Sequence, residues 1–177
     1  TYCPWDNYNL HEEDGVELYK RSVVGCVASA VAQILNYYKC WNYTLVPSDR
    51  YESNKNGLLT RIPADSLNRE FPGFYTLNGY MDEVVYKYNN NIALTDNDKA
   101  ALSFACGILV HMSYSSFGSG ASGGSAVYTK MNMYYQYAFA DSCASEEWID
   151  LISKQLRCNR PIEYRGQNDE GGCHAFI

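Results

Sequence analysis

With 177 residues, of which 46% are hydrophobic and 19% charged, the chain has the composition of one globular domain large enough to bury a core, and not that of a disordered segment. A formal net charge of −6 and the lack of any Lys/Arg cluster argue against nucleic acid or an anionic membrane as partner. No apolar run approaches the length of a membrane-spanning helix. In chain order, residues 1–22 read as a polar lead-in, and His11, inside His11-Glu12-Glu13-Asp14-Gly15, reads as part of a solvated acidic loop. Val23-Val24-Gly25 then leads into a helix that starts at Cys26 and ends near Lys39-Cys40-Trp41. Its apolar positions Val27, Ala30, Val31, Ile34, Leu35 and Tyr38 share one face of a 3.6-residue period. Residues 42–80, rich in Asn, Ser, Pro and Gly, read as a segment wandering over the surface. A short helix is expected over 81–88. Thr95-Asp96-Asn97-Asp98 is an N-cap with an acidic first turn, placing a helix over 100–110.

His111 closes the apolar run Ile108-Leu109-Val110 and reads as a structural or cleft-edge residue. Residues 118–124, with four glycines among them, form a loop before a helix over 125–137. Ser145-Glu146-Glu147 caps a further helix, with Lys154 and Arg157 near its far end, so that charges at both ends complement the dipole. Ile162-Glu163-Tyr164 starts a strand, residues 167–172 turn, and residues 173–177 return as its antiparallel partner. Helices first and strands last is the α+β order.

Three positions in this layout bear chemistry. A cysteine in the first turn of a helix meets unpaired backbone donors and the positive end of the macrodipole, which favour the nucleophilic thiolate. Cys26 is placed so, although a cysteine on a core helix is commonly a small buried hydrophobe. Histidine is scarce, with only His11, His111 and His174 in the chain, and two glycines deliver His174 onto the last strand beside Cys173. Spacing alone does not single out a Cys/His pair. The seven cysteines fit one nucleophile plus up to three disulfides, or buried reduced thiols. Cys143 and Cys158 flank a helix about 18 Å long, so joining them requires the flanks to fold back. None of the cysteines is spaced as in a zinc site, and neither a metal nor any other cofactor is expected. The 17 tyrosines read as core rings or as cleft lining.

The words around these residues are more specific. Gly25-Cys26-Val27-Ala28-Ser29-Ala30 and Gly171-Gly172-Cys173-His174-Ala175-Phe176-Ile177 resemble the streptopain family of secreted bacterial cysteine peptidases. The likeness continues through Gly107-Ile108-Leu109-Val110-His111-Met112-Ser113-Tyr114, Gly118-Ser119-Gly120-Ala121, Glu147-Trp148 and Arg160-Pro161-Ile162-Glu163-Tyr164-Arg165-Gly166. The resemblance implies a single papain-like α+β domain over 1–177, with a helical part carrying the cysteine packed on an antiparallel sheet carrying the histidine. It further implies Cys26 as nucleophile and His174 as general acid/base in an endopeptidase working through an acyl-enzyme. Ser119 and Gly120 would border the substrate cleft, and Cys173 would lend backbone groups to the substrate. Partners are then protein or peptide substrates and a propeptide or inhibitor, and the setting is extracellular or periplasmic, after removal of an export signal and propeptide from a zymogen.

Two departures stand out. Family members carry a glutamine upstream of the cysteine that helps hold the oxyanion; here alignment on Trp5 puts Asn7 there, and alignment on Tyr8-Asn9 puts Pro4 there. The family's Asn-Trp-Gly-Trp-Gly stretch after the histidine is not found before Ile177, so a second chain or a lost segment is expected to supply the C-terminal strands. The competing reading is a catalytically weakened or inactive homologue that binds a protein or peptide.

Overall fold

The computed structural model describes residues 3, 5–13, 16–42, 50–55, 58–63, 74–140, 144–167 and 172–177, with side chains for 3, 21–42, 75–140, 144–167 and 172–177. Two hairpin strands, β1 (Trp5–Glu13) and β2 (Val16–Arg21), precede helix α1 (Cys26–Tyr38). A second hairpin, β3 (Arg50–Lys55) and β4 (Leu58–Pro63), leads to helices α2 (Phe74–Asn89), α3 (Asp96–Leu109), α4 (Ser125–Lys130) and α5 (Glu146–Arg157). The antiparallel pair β5 (Tyr164–Gln167) and β6 (Cys173–Phe176) follows. The class is α+β as expected, with Cys26 on a helix and His174 on a hairpin, although two hairpins stand ahead of α2 where none was expected.

The core lies where α1, α3 and α2 pack in that order, with β6 against the other side of α1. Helix α1 buries Val27, Ala28, Ala30, Val31, Ala32, Ile34 and Leu35, and α3 buries Ala101, Leu102, Phe104, Ala105, Cys106 and Leu109. Such small-residue faces let two helix backbones approach closely. A Cβ on Gly107 of α3 would collide with the Tyr114 hydroxyl and lie 3.7 Å from the Ala28 methyl.

Helix α3 starts as its sequence dictates. Thr95 Oγ1 accepts from the Asp98 backbone N–H at 3.3 Å, and Asp98 Oδ2 accepts from the Thr95 N–H at 2.7 Å, closing a reciprocal capping box. Lys87 of α2 donates to the same carboxylate oxygen at 2.7 Å. Burial alone would push the Asp98 carboxyl up; hydrogen bonds from Lys87 and Thr95 outweigh it and hold the group below its usual range. A carboxyl depressed in the folded state gives stability that is present above its unfolded value and lost as pH falls through the folded one, below about pH 4. Asp98→Ala should therefore cost about 1–2 kcal/mol near neutrality. Urea melts near neutral pH and in acid should show the parent and variant curves converging in acid.

The five helices among the described residues end alike. Lys39, Asn91, His111, Asn132 and Asn159 each take a left-handed conformation, with φ of 50°, 57°, 53°, 58° and 54°. In each case two backbone N–H groups fold back onto the last turn, as in Asn132 to Thr129 and Met133 to Tyr128, the pattern of a Schellman stop. His111 is thus the residue that ends α3 and reverses the chain. It is exposed and lies outside the cleft described below.

Several elements differ from expectation. Helix α4 stops at Lys130 and does not run to 137, because Asn132 takes the left-handed stop that glycine usually provides. Helix α2 begins seven residues earlier than 81, at Phe74, because Leu77 continues the buried row of Met81, Val84 and Tyr88 across the exposed Gly79. Hairpins occupy parts of 1–22 and 42–80, and His11 lies on β1 and not in a loop. Cys26, Cys40, Cys106 and Cys158 form no disulfide, and Cys143 falls outside the described residues.

Candidate active site

The residue before Cys26 sets its position. Gly25 has φ 86° and ψ 141°, a backbone state that side chains rarely adopt. A Cβ there would lie 2.9 Å from Met112 Sδ and Cε and 2.9 Å from the Ser119 carbonyl oxygen. The Gly25 carbonyl accepts from both the backbone N–H and the hydroxyl of Ser29, each at 3.1 Å. Cys26 is therefore the first residue of α1. No side chain among the described residues caps this end, so donors of the first turn stay available to an anion at the cysteine.

Cys26 and His174 line one cleft of about 710 Å³. Its lining comes from α1, through Cys26, Ser29, Ala30 and Gln33, from β6, through Cys173, His174, Ala175 and Phe176, and from residues 118 and 119. Cys26 is half-buried and His174 is exposed. Among the described residues that line the cleft there is no Asp, Glu, Lys or Arg.

The other predicted site residues divide. Cys173 and Ser119 line the cleft. The Ser119 hydroxyl is already engaged, accepting from the Ser115 N–H at 3.0 Å and donating to the Ser115 carbonyl at 3.2 Å. Its contribution is to brace the loop that backs Gly25. Gly120 is not among the lining residues and pairs instead with Ser113 through two backbone hydrogen bonds. Asn7 falls where the β1–β2 register shifts between Asp6 and Leu10, and its side chain lies outside the described residues. Pro4 lies outside them altogether. Ser29 and Gln33 were not singled out from the sequence, although they follow Cys26 by three and seven positions on one helix face. Among the described residues no His, Cys, Asp and Glu gather as metal ligands would.

Away from the cleft lining, residues 163 and 165 are tied to the loop and helix at 122–128. Glu163 accepts from the Tyr128 hydroxyl at 2.8 Å and from the Gly124 N–H at 3.3 Å, and Arg165 donates to the Ser122 carbonyl. Burial, reinforced by the Glu163 charge, keeps the Tyr128 phenol protonated far above its usual range. Burial likewise pushes the Cys40 and Cys106 thiols up, which disfavours their thiolates.

A family model described as the Peptidase C10 family matches residues 1–177. This chain belongs to the Peptidase C10 family. The C10 chain is 26% identical to streptopain of Streptococcus pyogenes over 89% of its own length and 40% of that protein's. It is 25% identical to the thiol protease/hemagglutinin PrtT of Porphyromonas gingivalis, over 89% of its length and 18% of that protein's. It thus spans well under half of each curated relative. The structure of active wild-type interpain A cysteine protease from Prevotella intermedia matches with a TM-score of 0.46 and 23% identity, covering 99% of this chain and 71% of that one.

Proposed function

We propose that this chain is the papain-like domain of a secreted cysteine endopeptidase, with Cys26 as nucleophile and His174 as general acid/base. The observation that carries this reading is that Cys26 and His174 both line one cleft, within a chain of a peptidase family. The imidazole takes the thiol proton, the thiolate attacks the scissile carbonyl, and the protonated imidazole gives its proton to the departing amine. Water then hydrolyses the acyl-enzyme. The developing oxyanion is held by the Cys26 N–H and by an amide from Asn7. Export and activation from a zymogen follow the same family reading.

Limiting iodoacetamide at mildly acidic pH tests the nucleophile. Peptide mapping should find Cys26 alkylated ahead of Cys40 and Cys106, whose burial favours the protonated thiol, and casein hydrolysis should fall in proportion to labelling at Cys26. Activity that survives complete alkylation of Cys26 would rule out the assignment.

A further inference from the structure

The imidazole of His174 is one end of a row of aromatic rings that runs out of the cleft. Its ring lies against Phe176 with centroids 6.1 Å apart and planes inclined by 26°. Phe176 meets Tyr164 at 4.7 Å, and Tyr164 meets Trp148 at 5.7 Å. Strand geometry explains the first two contacts. Residues 174 and 176 share a face of β6 because strand side chains alternate, and Tyr164 is the direct cross-strand partner of Phe176. The partner opposite His174 is Gly166, which has no side chain, so β5 gives the imidazole no lateral neighbour at its own level.

The far end of the row is fixed by helix α5. Ser145 caps that helix by accepting from the Trp148 N–H at 3.2 Å. Helix α5 buries no residue fully, yet Trp148 is half-buried against Tyr164. The geometry points to Phe176, backed by Tyr164 and Trp148, as a positioning residue that holds the His174 ring at the angle proton transfer requires. This rests on the dyad reading above. Rings stacked with an offset gain modestly from contact, but an imidazole on an exposed strand has rotamers to choose between, and small errors in orientation are expensive in rate.

The test compares Phe176→Leu, which keeps an apolar side chain and removes the ring, with Phe176→Tyr, which keeps the ring. Phe176→Leu should lower kcat about tenfold with KM changed less than about twofold, and Phe176→Tyr should restore kcat to within about twofold of the parent. Tyr164→Leu should show a weaker version of the same loss. Independently of hydrolysis, NMR of the parent should give contacts between the His174 and Phe176 ring protons, and the Phe176→Leu spectrum should show the imidazole signals moving toward averaged values. An unchanged kcat in Phe176→Leu, or absent ring contacts in the parent, would overturn the inference. If His174→Ala still hydrolyses peptides, the dyad reading fails instead, and the NMR contacts alone then decide whether Phe176 orients the ring.

Discussion

Cys26→Ala and His174→Ala should each abolish hydrolysis of casein or a fluorogenic peptide, by about 10⁴-fold or more, and the double variant should be no worse than either single one. Members of a catalytic unit behave in this way because each step needs both: removing the thiol leaves nothing to form the acyl-enzyme, and removing the imidazole leaves no group to move the proton. The fold should tolerate both changes. His174 is exposed and Cys26 only half-buried, so the melting transition should stay close to that of the parent, as for substitutions outside a packed core. Far-UV circular dichroism and thermal melts on the same samples separate lost chemistry from lost structure. Hydrolysis undiminished in either variant would transfer catalysis to other residues, and hydrolysis absent even from the parent would favour the homologue that binds without cleaving.

The second large effect is expected at Asn7. If its amide donates to the oxyanion beside the Cys26 N–H, Asn7→Ala should lower kcat about 100-fold or more with little change in KM, since that bond matters most as charge develops in the transition state. Asn7→Asp, which keeps the size and removes the donor, should fall comparably. The β1 backbone supports the idea to one degree: its pairing with β2 is irregular between Asp6 and Leu10, and bulges of this kind commonly re-aim a side chain next to an active site. Should Pro4 occupy the family glutamine's place, Asn7→Ala would be nearly silent, and steady-state kinetics on one variant distinguishes the two.

What could be read from the sequence was what local chemistry writes into it. The Cys26 helix start, the Thr95 N-cap and the Ser145 cap rest on residues that act on their immediate neighbours, and each is in the structure, although α3 begins at Asp96 and not at 100. The overlong α4 shows the reverse case: Asn132 takes a left-handed stop that its residue type permits without announcing. Hairpins β1–β2 and β3–β4 were hidden because polar stretches carry no apolar alternation strong enough to mark strands. Of the candidate site, Cys26 and His174 were legible as residues that line one cleft, and the surrounding rings were not. Tyr164 and Phe176 meet because the β5–β6 register pairs them, a register the sequence does not state, and Trp148 of α5 joins them only through tertiary packing.

The packing of β6 against α1 has a consequence for how the molecule wears out. Residues near opposite ends of the described chain meet there, so closing this contact costs more chain entropy than any of the self-contained helix stops. Among the described residues, β6 buries one side chain, Ala175. Partial opening at this seam would separate Cys26 from His174 while α1, α2 and α3 stay packed. If hydrolysis uses the proposed dyad, it should be lost on heating or in mild denaturant before helical content falls, and it should return without refolding of the core.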